Sequence, residues 1–293
     1  KPLIIIGSYN LINSQLESLN LKLKLNLVTL EKNFSKNLKI NKINIININY
    51  SFKRPFEPIS SKSNKYISKC FDTAIKIIKK YKTAGLINGP ISKKFFLKNN
   101  FLGITEYLSE KFDKKQNYSM LIYNKILSVS PITTHLPLNK VSKELKKDLI
   151  VLKSILIKKF YEKNFSKNPK IAITGLNPHC ENFFNKTSEE DSLIKPAIKI
   201  LKSKKVKVAG PFPADTIFLK QNLKKFDVIV GMYHDQVLTP IKTMFEYDAI
   251  NITLGLPFIR VSPDHGPNEK MIGKNKSTPV SLINALNFLD QKW

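Results

Sequence analysis

Two arginines, two cysteines, one tryptophan and four histidines are all that the 293 residues offer of those types. The cysteines, Cys70 and Cys180, are too few and too distant for a disulfide framework or a cysteine metal cluster, which favours a reducing, cytoplasmic setting. No apolar run approaches the roughly 18 residues that cross a bilayer, and Leu3-Ile4-Ile5-Ile6 is too short for a signal core, so no membrane partner is expected. The Gly-x-Gly-x-x-Gly turn, the Gly-x-x-x-x-Gly-Lys phosphate loop and the Gly-x-Ser-x-Gly elbow are all missing. Ordinary nucleotide-binding loops are thereby absent.

Lysine, by contrast, is everywhere. Lys+Arg number 49 against 22 Asp+Glu, a net charge of +27, and only Arg54 and Arg260 are arginines. Nucleic-acid readers lean on the planar arginine fork, whereas a lysine is a hydrated point charge that any solvated face accepts. Between Phe226 and Gly273, the stretch densest in Gly, Pro and His, three basic residues meet six acidic ones. A solvated lysine surface and no specific nucleic-acid partner are expected. With 42% hydrophobic residues the chain can bury a sizeable core, which excludes intrinsic disorder.

Short β-rich runs recur at Leu3 to Gly7, Leu25 to Leu30, Ile43 to Ile48, Gly85 to Asn88, Ser119 to Tyr123, Ile126 to Ile132, Lys170 to Thr174, Val206 to Ala209, Asp227 to Gly231 and Ala249 to Thr253. Helical patterns lie between them. Ile67, Cys70, Phe71, Ala74, Ile75, Ile77 and Ile78 form one stripe, and Val141 to Phe160 forms a longer one with Ser142 as its expected N-cap. Thr278-Pro279 heads a last helix over Val280 to Leu289. Alternation of this kind predicts an α/β fold with parallel or mixed sheets and ligands at the carboxyl ends of strands.

Each histidine stands in a turn-like cluster after an expected strand: Thr134-His135-Leu136-Pro137, Asn177-Pro178-His179, Tyr233-His234-Asp235 and Asp264-His265-Gly266. Such loops converge at one sheet edge, where imidazoles either share a divalent ion or serve as hydrogen-bonded structural residues. Arg260, beside a Gly/Pro loop, reads as a fork for phosphate or carboxylate, or as half of an Arg–Asp pair.

Thr133 to Leu138, Gly175 to His179, Gly210 to Thr216, Met232 to Gln236 and Asn251 to Arg260, in that order, resemble the 4-hydroxythreonine-4-phosphate dehydrogenase family of vitamin B6 synthesis. The resemblance implies two α/β/α domains of the isocitrate and isopropylmalate dehydrogenase type, here residues 1–98 with 243–293, and an inserted domain 99–242. It implies one divalent metal ion, of Zn, Mg or Co type, on His135, His179 and His234, shared between the subunits of a homodimer. Thr105, Lys242, Asn251 and Arg260 match substrate-binding positions, and Asp264, His265 and Gly266 form the loop expected at NAD. Asp215 and Asp235 are the candidates for orientation or proton transfer.

The implied reaction is NAD-dependent oxidation of 4-phosphooxy-L-threonine at C3, then decarboxylation to 3-amino-2-oxopropyl phosphate. Alternatives are a related phosphorylated hydroxy acid of phospho-threonate type, or a relative that binds ligand without turnover. Four departures from the family pattern bear on that choice. Ile104 replaces a His in the Gly-His-Thr-Glu string. Cys180-Glu181-Asn182 and Val237 stand where glycines are expected, and Pro267-Asn268 where Thr-Ala is. Lys1 matches the family's second strand, so its first strand and turn are expected to be absent.

Overall fold

The computed structural model describes residues 2–31, 34–81, 83–98, 100–101, 103–112, 117–180 and 188–291. It divides into two compact units: residues 1–86, 90–100 and 266–279, and residues 87–89, 101–265 and 280–293.

The first unit contains β1 (Ile4–Gly7), α1 (Tyr9–Ser18), β2 (Leu25–Leu27), β3 (Ile43–Asn47), α2 (Asn64–Lys80) and α3 (Lys93–Phe96). Its strands form a parallel sheet in the order β1-β3-β2. Ser8 caps α1, its Oγ accepting from Leu11 N at 3.3 Å. Helix α2 buries Phe71, Ala74, Ile75 and Ile77, the stripe that the helical spacing predicts.

The second unit begins within β4 (Leu86–Ile87). It continues with α4 (Ile104–Phe112), β5 (Ser119–Tyr123), β6 (Ser128–Thr133), α5 (Leu138–Glu144), α6 (Lys147–Phe165), β7 (Ile171–Thr174) and α7 (Lys195–Ser203). Then come β8 (Val208–Phe212), α8 (Lys220–Leu223), β9 (Val228–Tyr233), α9 (His234–Phe245), β10 (Ile250–Leu254), β11 (Arg260–Pro263) and α10 (Val280–Asp290). Eight strands form one sheet, ordered β4-β11-β10-β5-β6-β9-β7-β8. Strands β6, β9, β7 and β8 are parallel neighbours, while β5, β10 and β11 pair antiparallel.

Alternation along the strands supplies two cores. Leu121, Ile132, Ile171, Ile173, Val228, Val230, Ile250 and Ile252 pack with Ile150 and Ile157 of α6, Ile198 and Leu201 of α7 and Phe288 of α10. Ile122, Val129, Ala172 and Ile229 face the other way, against Val237, Leu238 and Ile241 of α9. Each such aliphatic side chain contributes about 1.5 to 3 kcal/mol on burial. The class is the mixed α/β fold expected.

Three sequence expectations need correction. The stripe from Val141 to Phe160 is two helices, because Leu145 and Lys146 are extended at ψ 124° and 141°, so Ser142 lies inside α5 and caps nothing. Residues 243–265 and 280–293 belong to the second unit rather than the terminal one, because β10 pairs with β5 along its whole length and α10 buries Ala285, Phe288 and Leu289. Arg260 stands at the start of a strand, β11, that its Gly/Pro surroundings hide.

Among the described residues only three charged side chains are buried: Lys153, Glu190 and Arg260. Every other described lysine reaches solvent, as a lysine surface requires. No helix of the described residues is long and apolar enough to cross a membrane.

Candidate functional site

Thr133 of β6 lies opposite Tyr233 of β9 in a parallel pair, so the chain leaves the sheet at neighbouring points. Thr133 Oγ1 donates to Met232 O at 2.8 Å and fastens those two strand ends. The rings of His135 and His234 consequently come within 5.7 Å, centroid to centroid, tilted by 39°. Asp235 Oδ1 is 2.7 Å from His234 Nδ1, which fixes the ring and leaves Nε2 for another partner. Asp235 is thus placed to orient His234. His135 and His179 both hold left-handed backbone, φ 55° and 57°, a conformation that costs a non-glycine residue energy and clusters at functional sites.

His179 is exposed on the loop after β7. Among the described residues no three His, Cys, Asp or Glu side chains of one chain are grouped to hold a metal. One chain therefore brings two of the three candidate ligands together. Asp215 follows β8, the neighbour of β7, and is exposed. Burial raises the Cys180 thiol, a backbone hydrogen bond at Gly175 opposes that, and Asp215 is among the charges acting on it. Glu181 and Asn182 lie outside the described residues.

Two side chains that the sequence reading passed over hold these loops. Gln236 Oε1 accepts from Thr174 Oγ1 at 2.9 Å and from Met232 N at 2.7 Å, while its Nε2 donates to Gly175 O at 2.8 Å. The loops after β7 and β9 are thereby stapled together. Glu190 Oε1 accepts from Leu176 N and Asn177 N, both at 2.8 Å, and its Oε2 accepts from Asn177 Nδ2 at 2.9 Å. Burial works against the charge of Glu190, but these donors outweigh it and hold the carboxyl below its ordinary range. Both anchors need glycine beside them. A Cβ on Gly175 would sit 2.9 Å from Glu190 Oε1, and one on Gly231 3.0 Å from Gln236 Oε1 and 2.4 Å from Val237 Cγ1.

Arg260 is 3% exposed. Its Nε donates to Asn88 Oδ1 at 2.7 Å and its Nη1 to Thr253 Oγ1 at 3.0 Å, with Thr105 Oγ1 at 3.5 Å. The two threonine hydroxyls are 3.2 Å apart. Hydroxyls and an amide, rather than an aspartate, bind this guanidinium. Burial lowers its pKa to about 10 and Glu106 pulls the other way, so it stays cationic at neutral pH.

Thr105 also lines a small pocket with Glu106, Tyr118, Met120, Thr134, His135 and Lys153. Lys153 Nζ reaches from α6 to donate to Ile132 O at 2.7 Å. Burial lowers its pKa to about 8, with Glu106 pulling it back up. A Cβ on Gly103 would lie 2.7 Å from Glu106 Oε2 and 3.2 Å from His135 Cε1, so both side chains crowd this glycine.

The remaining candidates stand at the other end of β10 and β11. Arg260 pairs with Thr253, whereas Pro263, just before Asp264, pairs with Ile250. Lys242, two turns along α9 from His234, forms an ion pair of 2.5 Å with Asp264 Oδ2 and also donates to the Asp264 carbonyl. Burial raises the Asp264 carboxyl, against the pull of Lys242, His234 and His265. Lys242 is thus partnered by Asp264. His265 stacks edge-on to Tyr247 at 6.4 Å, and Gly266 opens the stretch assigned to the first unit. Asn251 presents a buried Oδ1 with no hydrogen-bond partner among the described residues.

The sequence profile of pyridoxal phosphate biosynthetic protein PdxA matches residues 1–289. A 4-hydroxythreonine-4-phosphate dehydrogenase from a Sulfurihydrogenibium species is 40% identical over 249 residues, 84% of this chain and 76% of that protein. One from Xanthobacter autotrophicus is 36% identical over 224 residues, 74% of this chain and 64% of that protein. The crystal structure of the Klebsiella pneumoniae 4-hydroxythreonine-4-phosphate dehydrogenase superposes with a TM-score of 0.82 at 26% identity, covering 98% of this chain and 90% of that one. That of Burkholderia phymatum gives 0.80 at 25%, covering 99% and 89%.

Proposed function

Because the chain belongs to the PdxA family of pyridoxal phosphate biosynthetic proteins, we propose that it is a 4-hydroxythreonine-4-phosphate dehydrogenase, oxidising 4-phosphooxy-L-threonine at C3 with NAD. The observation that carries this reading is the convergence of His135 and His234 at one strand edge. The substrate's C3 alcohol gives up a hydride to NAD and its hydroxyl proton to a base. The resulting β-keto acid loses its carboxylate as CO2, leaving 3-amino-2-oxopropyl phosphate once the carbanion is protonated. A divalent ion, when bound, would acidify the alcohol and stabilise the enolate of decarboxylation.

The residues present fit such an ion. Imidazole nitrogens, such as the one His234 keeps free while Asp235 holds its Nδ1, suit zinc or cobalt better than magnesium. His135 and His234 would hold it, with His179 supplied by a second copy in a homodimer. Asp235 orients His234, and Asp215 is left as the exposed carboxylate for proton transfer. Arg260 and Thr105 would bind an anionic group of the substrate. Asp264, His265 and Gly266 remain the loop proposed at NAD.

Metal content after dialysis tests the ligand set. Each of His135→Ala, His179→Ala and His234→Ala is expected to lose the bound ion and to weaken the dimer on size-exclusion chromatography, since a shared ligand set ties metal affinity to association. Equal metal in any one of them removes that histidine from the set.

Ile104 is buried at the start of α4, next to Thr105. A histidine there could donate to a phosphate oxygen, a contact to a charged group worth about 1.5 to 3 kcal/mol. Ile104→His is therefore expected to raise kcat/KM on the phosphorylated substrate by roughly tenfold or more. No change in an otherwise active enzyme would point instead to a related phosphorylated hydroxy acid.

A further inference from the structure

Lys153 is the one buried lysine among the described residues of a chain whose basic residues are nearly all lysine. It lies on the apolar stripe of α6 with Ile150, Ile157 and Tyr161, a place where methionine or leucine would pack without any electrostatic cost. Three donors sit on its ammonium, and one is used by Ile132 O. Across the same pocket stands Glu106, whose Oε2 is buried with no hydrogen-bond partner among the described residues, and no ion pair between the two is formed among them. A buried cation with donors to spare thus faces a pocket that also holds Thr105 and His135.

We propose that Lys153 is a ligand-binding residue of this site, its ammonium taking an anionic oxygen, of a phosphate or a carboxylate, on the molecule bound beside His135. The assignment rests on the reading of function above only for the identity of that molecule. The first turn of α4 brings Thr105 and Glu106 to the pocket, and Lys153 reaches it from α6. Glu106 favours the protonated form of Lys153, so the ammonium persists near neutral pH despite its burial.

The test compares the parent with Lys153→Met, which keeps the volume and removes the charge, and with Lys153→Arg, which keeps the charge. Isothermal titration of the metal-loaded protein uses three probes: 4-phosphooxy-L-threonine, inorganic phosphate and L-threonine. K153M is expected to bind the phosphorylated substrate at least tenfold more weakly while keeping a cooperative thermal transition, and K153R to retain most of the affinity. Loss confined to inorganic phosphate assigns the phosphate, and loss confined to L-threonine assigns the carboxylate. K153M binding every probe as the parent does, or a parent binding none of them, overturns the proposal. An active parent whose K153M variant keeps its KM would sink the role of Lys153 and leave the dehydrogenase reading standing. A parent inactive on 4-phosphooxy-threonine that still binds phosphate through Lys153 would do the reverse.

Discussion

Glu190→Ala should destabilise the second unit by about 3 to 5 kcal/mol, because it removes a buried carboxylate and leaves two half-buried backbone amides without their acceptor, each unmet donor costing roughly 1 to 3 kcal/mol, while the Asn177 side-chain amide keeps Glu189. Against a total stability of about 5 to 15 kcal/mol that is a large fraction, visible as a fall in Tm of roughly 10 °C by calorimetry. Glu190→Gln keeps the shape and one acceptor and should cost less. The pH dependence has a definite sign. The folded carboxyl lies below its ordinary value, burial being outweighed by the donors, so its stabilisation is present above about pH 4.5 and is lost as pH falls through the lower folded value. The gap between parent and Glu190→Gln should therefore close on acidification. A gap unchanged from pH 7 to pH 3, or an alanine variant as stable as the parent, would show that the Leu176 and Asn177 amides find other partners.

Lys153 gives a slope of the same sign at the alkaline end. Burial lowers its folded pKa from 10.5 to about 8, Glu106 opposing, so between those values the unfolded chain holds more protons than the folded one. Parent stability relative to Lys153→Met should consequently rise with pH across that window, by about 2 kcal/mol between pH 8 and pH 9.5 at 1.36 kcal/mol per unit. Urea unfolding at both pH values measures it, and the difference between the two proteins cancels the lysines they share. A flat difference would mean that the ammonium reaches water and that the pocket is wetter than its lining implies.

How far the sequence reaches can be followed through these same residues. Period-two and period-3.6 patterns determined most strands and the α2 stripe, because burying one face is a local demand that each segment states for itself. The strings around His135, His179 and His234 carried the family and the loops of the site, since a loop after a parallel strand opens at the carboxyl edge wherever the strand lies in the sheet. Lys153 and Glu190 also left a trace, each being a charge on an otherwise apolar helical stripe, with Ile150 and Ile157 around one and Ile194 and Ala197 around the other. Pattern alone could not say whether such a charge points out or in. That depends on what the neighbouring strands present: a spare carbonyl at Ile132 for the lysine, and bare amides at Leu176 and Asn177 for the glutamate. The same holds for β10 joining the larger sheet through β5 and for Lys242 meeting Asp264. Each was decided by a partner distant in the chain, and only the folded chain brings such partners within the few ångströms over which a hydrogen bond or an ion pair acts.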